Sequence, residues 1–189
     1  MPNTRPQKML FAFITVVITV HAYVFYSLYV VNGTTLMAAA GTSSVLRAID
    51  AIGGVYMCGS AKPIWTVVLV EFILAYMLEL SMGSPCSIKL AMMNFKPEET
   101  HPVLFETAVI SATVALMCPA MSFIAAFLYY PYYAGFSLLT LLANWIKLVC
   151  FNFPFALFSQ LFFIQPLVRT LFKAIMSLRH FPRLRPSSI

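Results

Sequence analysis

Charged residues are scarce in this chain, and that scarcity already limits what it can be. Only 10% of the 189 residues are charged and only six residues are acidic, whereas 61% are hydrophobic and the mean hydropathy is +0.87. Soluble domains contain about 25% charged residues, and one core of this size could not bury so much apolar surface. The composition therefore excludes a disordered chain, a nucleic-acid-binding domain and a disulfide-stapled secreted module, and it indicates a membrane protein.

Motifs for catalysis and metal binding are also missing from the sequence. The four cysteines are far apart, without a Cys-x-x-Cys pair, and the three histidines are too dispersed to form one site. Glycine-rich phosphate loops, nucleophile elbows and zinc-helix signatures do not occur. We therefore expect no enzymatic activity, no metal site, no cofactor and no nucleic-acid partner.

Four segments are apolar over the roughly 20 residues that a membrane-crossing helix needs. They run from Met9 to Val31, from Ile64 to Met82, from Val103 to Tyr130, and from about Leu141 past Phe163. We expect an all-α integral membrane protein with a first hairpin over residues 9–95, a link over 96–102 and a second hairpin over 103–176. The outer loop over residues 32–63 is long enough to cap the bundle or to re-enter the membrane, and its residues 43–52 predict a short amphipathic helix before two glycines.

Lysine and arginine lie mostly on one side of the four spans. They occur in residues 1–8, between the second and third spans, and in a basic tail over residues 177–189, whereas Arg47 and Lys62 lie opposite. Because the basic excess stays cytoplasmic in short loops, both termini are predicted to be cytoplasmic. We expect the tail to contact anionic lipid headgroups of the bilayer.

The two predicted hairpins match each other at a fixed offset. Trp65 precedes Trp145 by 80 positions. With an offset of 81, four residues of the first hairpin pair with four of the second: Glu71, Ala75, Glu79 and Pro85 with Asn152, Ala156, Gln160 and Pro166. Each hairpin would run from inside to outside and back, so the halves are predicted to be parallel repeats about an axis near the membrane normal. Both halves are therefore predicted to carry polar side chains at the same two depths in the membrane, but only the side chains of the first half are charged.

The second half resembles a known family in its sequence pattern. Asn144-Trp145, the stretch Asn152-Phe153-Pro154-Phe155-Ala156 and the exit Gln165-Pro166-Leu167-Val168-Arg169 are similar to the bacterial membrane family known as domain of unknown function 2798. The resemblance extends over both halves, although Ile73 stands in the first where the second has Pro154. It implies tandem transmembrane hairpins in a bacterial cytoplasmic membrane, and it implies no activity.

Ionisable side chains at membrane depth cost about 2.5–3.5 kcal/mol each, which makes them functional candidates. His21 and Glu71 should lie at similar depth, where they would share a proton or form a static hydrogen bond. Glu79 and Glu106 should meet Lys89 near the cytoplasmic end, as a proton or cation path or as an interfacial salt bridge. Lys147 would extend its long side chain to the surface or pair with Glu71.

These residues support two hypotheses of different classes. In the first, the chain is a small proton-coupled transporter or exporter of a lipophilic or cationic compound, working as a homodimer. Glu71 would be the coupling carboxylate, tuned by His21, and Asn152 and Gln160 would complete the polar path. In the second, the chain is a non-catalytic scaffold or accessory subunit whose polar side chains only fasten helices together.

Overall fold

Eight α-helices and one small β-hairpin make up the described part of the chain. The computed structural model describes residues 4–179, so residues 180–189 of the predicted basic tail lie outside it. The helices are α1 (Arg5–Tyr26), α2 (Gly33–Ala40), α3 (Val45–Ile52), α4 (Ile64–Leu78), α5 (Ser84–Asn94), α6 (Pro102–Leu128), α7 (Leu138–Ser159) and α8 (Gln165–Arg179). Three π-helical segments, Ser27–Val31, Glu79–Gly83 and Gln160–Ile164, extend these helices, and a 3₁₀ turn spans Tyr132–Ala134.

Four of the resulting continuous helices are long and apolar enough to cross a membrane, which confirms the predicted helical membrane class. They are Arg5–Val31, Ile64–Asn94, Pro102–Leu128 and Leu138–Ser177. The second helix runs well beyond its predicted end at Met82, whereas the fourth ends next to residue 176, the predicted end of the second hairpin. Pro85 and Pro166 are the second residues of α5 and α8, and a π-helical segment joins each of these helices to the preceding one.

The long helices pair differently at the two ends of the bundle. We call the end that holds residues 32–63 the loop end, and the end that holds Lys8 and Arg169 the basic end. At the loop end α1 packs on α4 and α6 packs on α7, whereas at the basic end α1 packs on α8 and α6 packs on α5. Each even-numbered span changes its neighbour at its π-helical segment.

This exchange of neighbours occurs in both hairpins at residues that the offset of 81 pairs. The two π-helical segments begin at Glu79 and Gln160, which are residues that the offset of 81 pairs. In each segment the first residue accepts a side-chain hydrogen bond from the residue five positions later. Ser84 Oγ donates to Glu79 Oε1 at 2.6 Å, and Gln165 Nε2 donates to Gln160 Oε1 at 3.3 Å. The same local structure therefore occurs at equivalent positions of both hairpins.

The loop over residues 32–63 packs on the end of the bundle. Its helix α3 was predicted, and Gly53 ends it with a left-handed φ of 80°. Val45 and Ile49 of α3 are buried against the loop end of α1. The antiparallel hairpin of β1 (Val55–Met57) and β2 (Ser60–Lys62) was not predicted, and the backbone N–H of Cys58 at its tip donates to Leu128 at 2.8 Å. The loop thus caps the bundle.

The most extensive helix packing lies between α6 and α7, and at Ala156 it leaves little room for a larger side chain. Ala156 of α7 is 1% exposed and lies against Val114 and Cys118 of α6. We expect Ala156→Leu to reduce the free energy of unfolding by about 1–3 kcal/mol, because the added carbons would separate the two helices. The matched change Ala143→Leu, at an exposed position of the same helix, should have little effect. Equal melting temperatures of the two purified variants would contradict this account.

Candidate functional site

A long cavity lies inside the bundle and is lined by residues of both hairpins. Its volume is about 1070 Å³, which is at the upper end of the range for ligand pockets. Along the first span its lining extends from Lys8 to Val31, a length of about 35 Å at 1.5 Å per helical residue. The lining is mostly apolar, with polar side chains at a few depths.

All but one of the candidate residues named from the sequence line this cavity. They are Glu71, Glu79, Glu106, Lys147, Asn152 and Gln160. The spacing of four residues keeps Glu71, Ala75 and Glu79 on one face of α4, and Asn152, Ala156 and Gln160 follow the same rule in the second hairpin. The polar residues that the offset pairs therefore line the same cavity.

Glu71 is held near the loop end by a tyrosine from the other hairpin. The hydroxyl of Tyr129, which follows α6, donates to the Glu71 carboxylate. Burial, and secondarily the nearby carboxylate, raises the pKa of the Tyr129 phenol, so that the phenol stays protonated and remains the donor. This contact joins the second span to the end of the third.

Glu79 lies two turns further along the second span. Its carboxylate packs against Gly83, where a larger residue would not fit. Its carboxylate accepts a hydrogen bond from Ser84 Oγ at 2.6 Å. A β-carbon at position 83 would collide with the Glu79 carboxylate and approach the Met117 sulfur at 3.0 Å. Gly83 therefore allows the carboxylate to fold back against its own helix.

The amides of the second hairpin bind hydroxyl groups on neighbouring helices. Asn152 Nδ2 donates to Ser122 Oγ of α6 at 3.3 Å. Gln160 Nε2 donates to Thr19 Oγ1 of α1 at 3.0 Å. These side chains link helices and line the cavity at the same time.

Two pairings suggested by the sequence are replaced by others. Glu106 forms an ion pair with Arg169 of α8, and the expected meeting of Glu79, Glu106 and Lys89 does not occur, because Lys89 lies on the exposed side of α5. Lys147 reaches the cavity, but among residues 4–179 it forms no ion pair with Glu71, which instead accepts from Tyr129.

His21 lies on a different face, so the suggested pair with Glu71 is not formed. The buried positions of α1 are spaced by four and include Val16, Val20 and Val24. His21 is one residue beyond Val20 and so points about 100° away from that stripe. It is exposed in a separate groove beside Asp50, and its Nδ1 lies 2.7 Å from the Val17 carbonyl oxygen.

Several residues at the site were not recognised as functional from the sequence. They are Thr19, Ser84, Ser122 and Tyr129, together with Arg169 as the partner of Glu106. Hydroxyl residues are common in membrane helices, and Tyr129 belongs to a tyrosine-rich stretch typical of a membrane interface. Thr15 and Thr19 have the same four-residue spacing as the apolar stripe of α1 that contains Val16. This spacing was a usable signal that Thr19 lines the cavity. Within the described part of the chain, no three His, Cys, Asp or Glu side chains are placed to hold a metal ion.

Comparison with known proteins finds a family similar to the second hairpin. A family model described as Domain of unknown function (DUF2798) matches residues 105–176. Residues 105–176 of the second hairpin are therefore similar to this family. The DUF2798 match includes Glu106, Lys147, Asn152 and Gln160, whereas Glu71 and Glu79 lie in the first hairpin, outside the matched residues. No curated protein and no solved structure is similar enough to match the chain.

Proposed function

We propose that this membrane protein is a small proton-coupled transporter, and that it moves a lipophilic or cationic compound through its central cavity. One observation supports the proposal above the others. The cavity extends along most of the bundle and contains two carboxylates on one helix face. Carboxylates at membrane depth are costly, and they are typical of proton and substrate paths.

The spacing of these two carboxylates is suited to proton transfer along the cavity. Glu71 and Glu79 are eight residues apart on the second span, or about 12 Å. Each is bound by one hydroxyl group, from Tyr129 and from Ser84. A carboxyl group bound this way can gain or lose a proton with a small rearrangement, and the change of charge would alter how the cavity binds a compound.

The scaffold function is the second candidate, and the amides of the second hairpin favour it. Asn152 and Gln160 each join two helices by a hydrogen bond. Such bonds stabilise a membrane bundle by about 0.6–2 kcal/mol each. Uncharged amides would serve this purpose in both hairpins at a lower insertion cost, so the carboxylates of the first hairpin favour transport.

The membrane placement follows from the distribution of basic residues. Lys8, Lys89, Lys96 and Arg169 lie at the basic end of the bundle. We propose that this end faces the cytoplasm of a bacterial cell, with anionic lipids around it. A homodimer remains a prediction from the sequence.

Transport is tested with the purified protein in proteoliposomes that contain a pH-sensitive dye. A panel of lipophilic cations and neutral compounds is added outside, with and without a proton gradient. We expect uptake or release of at least one compound that depends on the gradient and stops when a protonophore collapses it. Equal flux in empty liposomes for every compound, with a correctly folded protein, would favour the scaffold function.

A further inference from the structure

The basic end of the cavity has more positive than negative side chains. Lys8 of α1 and Arg169 and Lys173 of α8 line it, together with Glu106 of α6. Arg169 is paired with Glu106. In the described part of the chain neither Lys8 nor Lys173 takes part in an ion pair, and both are exposed at the cavity mouth. Two ammonium groups are therefore available to a ligand at this mouth.

Behind these lysines the cavity wall is largely apolar. Phe11, Val109, Ile110 and Phe172 lie between the mouth and the level of Glu79 and Gln160. Gln160 precedes Arg169 by nine residues in the fourth span, which is about 13 Å along the helix. The compartment is therefore deep enough for an apolar chain, and it ends at a carboxylate.

We propose that the basic end of the cavity binds an amphiphile with an anionic phosphate or carboxylate headgroup, through Lys8 and Lys173, with its apolar part in the compartment behind them. The proposal rests on the proposed function in treating the cavity as a ligand chamber, and of the lipophilic or cationic compounds proposed there it keeps only lipophilic ones, with an anionic headgroup. An ammonium group binds a phosphate or carboxylate by charge-assisted hydrogen bonds. The apolar walls then bury the rest of the molecule.

Two other ligand classes fit this end less well. A cationic compound would meet the excess positive charge of Lys8, Arg169 and Lys173 at the mouth. A free phosphate would gain the lysines but leave the apolar compartment unused, and the carboxylate of Glu79 would repel it from the deeper cavity. The combination of charge and apolar wall therefore selects an amphiphile.

The test measures binding of radiolabelled dodecyl phosphate to the full chain in an uncharged maltoside detergent. We expect saturable binding that dodecyltrimethylammonium and inorganic phosphate compete for only weakly. The double change Lys8→Gln with Lys173→Gln should weaken binding by at least about tenfold, because two charge-assisted contacts are lost. The matched change Lys89→Gln with Lys96→Gln removes two lysines from the same end outside the cavity lining and should shift the dissociation constant by less than about twofold.

Three outcomes would overturn the proposal. They are no saturable binding, equal weakening by both double variants, and competition by inorganic phosphate as strong as that by the amphiphile. Melting temperatures of the variants show whether each one is folded. Binding requires no gradient or flux, so a chain that binds dodecyl phosphate but moves nothing would contradict the transport function alone. A chain that transports but does not bind it would contradict the ligand alone.

Discussion

Replacing Glu71 by Gln is expected to reduce proton-coupled uptake in proteoliposomes to the level of empty vesicles. Gln keeps the length and shape of the side chain, and its amide oxygen can still accept the hydrogen bond from Tyr129. It cannot exchange a proton, so a mechanism that uses Glu71 as its coupling group stops. Stability should be unchanged or increased, because an amide costs less to place in the membrane than a carboxylate.

A matched substitution separates loss of coupling from a general effect of the missing charge. Glu98 is exposed in the link between α5 and α6, and Glu98→Gln should leave coupled uptake unchanged. Dye response and substrate uptake are measured for the wild type and both variants, along with melting temperatures. Full coupling in Glu71→Gln would remove this residue from the mechanism, whatever the wild type transports.

Tyr130→Ala is expected to lower the free energy of unfolding by about 3–5 kcal/mol, the usual loss for removing a large buried aromatic ring. Tyr130 is 2% exposed and packs against Ala126 and Leu141 at the turn between α6 and α7. Its hydroxyl accepts from the Ser137 N–H at 2.7 Å and donates to the Gly135 carbonyl oxygen at 3.2 Å. The ring and the hydroxyl together hold the turn that connects the third and fourth spans.

The neighbouring tyrosine provides the control for this prediction. Tyr133 lies in the same turn but is 83% exposed, so Tyr133→Ala should change stability by less than about 0.5 kcal/mol. Tyr130→Phe should cost about 1–3 kcal/mol, because it leaves the Ser137 N–H without its partner. Unfolding is followed by titration with a denaturing detergent, and similar midpoints for Tyr130→Ala and Tyr133→Ala would contradict the role assigned to this ring.

The lining of the cavity was largely predictable because the offset between the hairpins fixes both depth and face. Glu71 and Asn152, like Glu79 and Gln160, occupy equivalent positions, and residues four apart on a helix share one face. The four spans followed from hydropathy alone. A shared helix face depends on residues four apart, and a span depends on about 20 consecutive residues. Both can therefore be predicted from a short stretch of sequence.

The contacts of His21 and Arg169 were beyond that kind of reasoning, for different physical reasons. His21 was placed by depth alone, and depth gives no angle around the helix axis, so its position one residue past Val20 took it to another face. Arg169 reaches Glu106 because the fourth helix continues through the π-helical segment Gln160–Ile164 into α8. The fourth span was predicted to continue past Phe163, but its partner at the basic end depends on the tertiary packing, which the sequence does not show.

The continuity of the fourth helix also determines where the basic end lies relative to the lipid. Leu138–Ser177 is 40 residues long, or about 60 Å, twice the roughly 30 Å of the hydrocarbon layer. Lys173 is 35 residues beyond Leu138, about 52 Å along the axis, and so projects past the acyl chains even if the helix tilts by the common 20° or so. The helix is therefore longer than the hydrocarbon layer is thick, and its basic end, with the mouth of the cavity, is placed at the level of the lipid headgroups or beyond them.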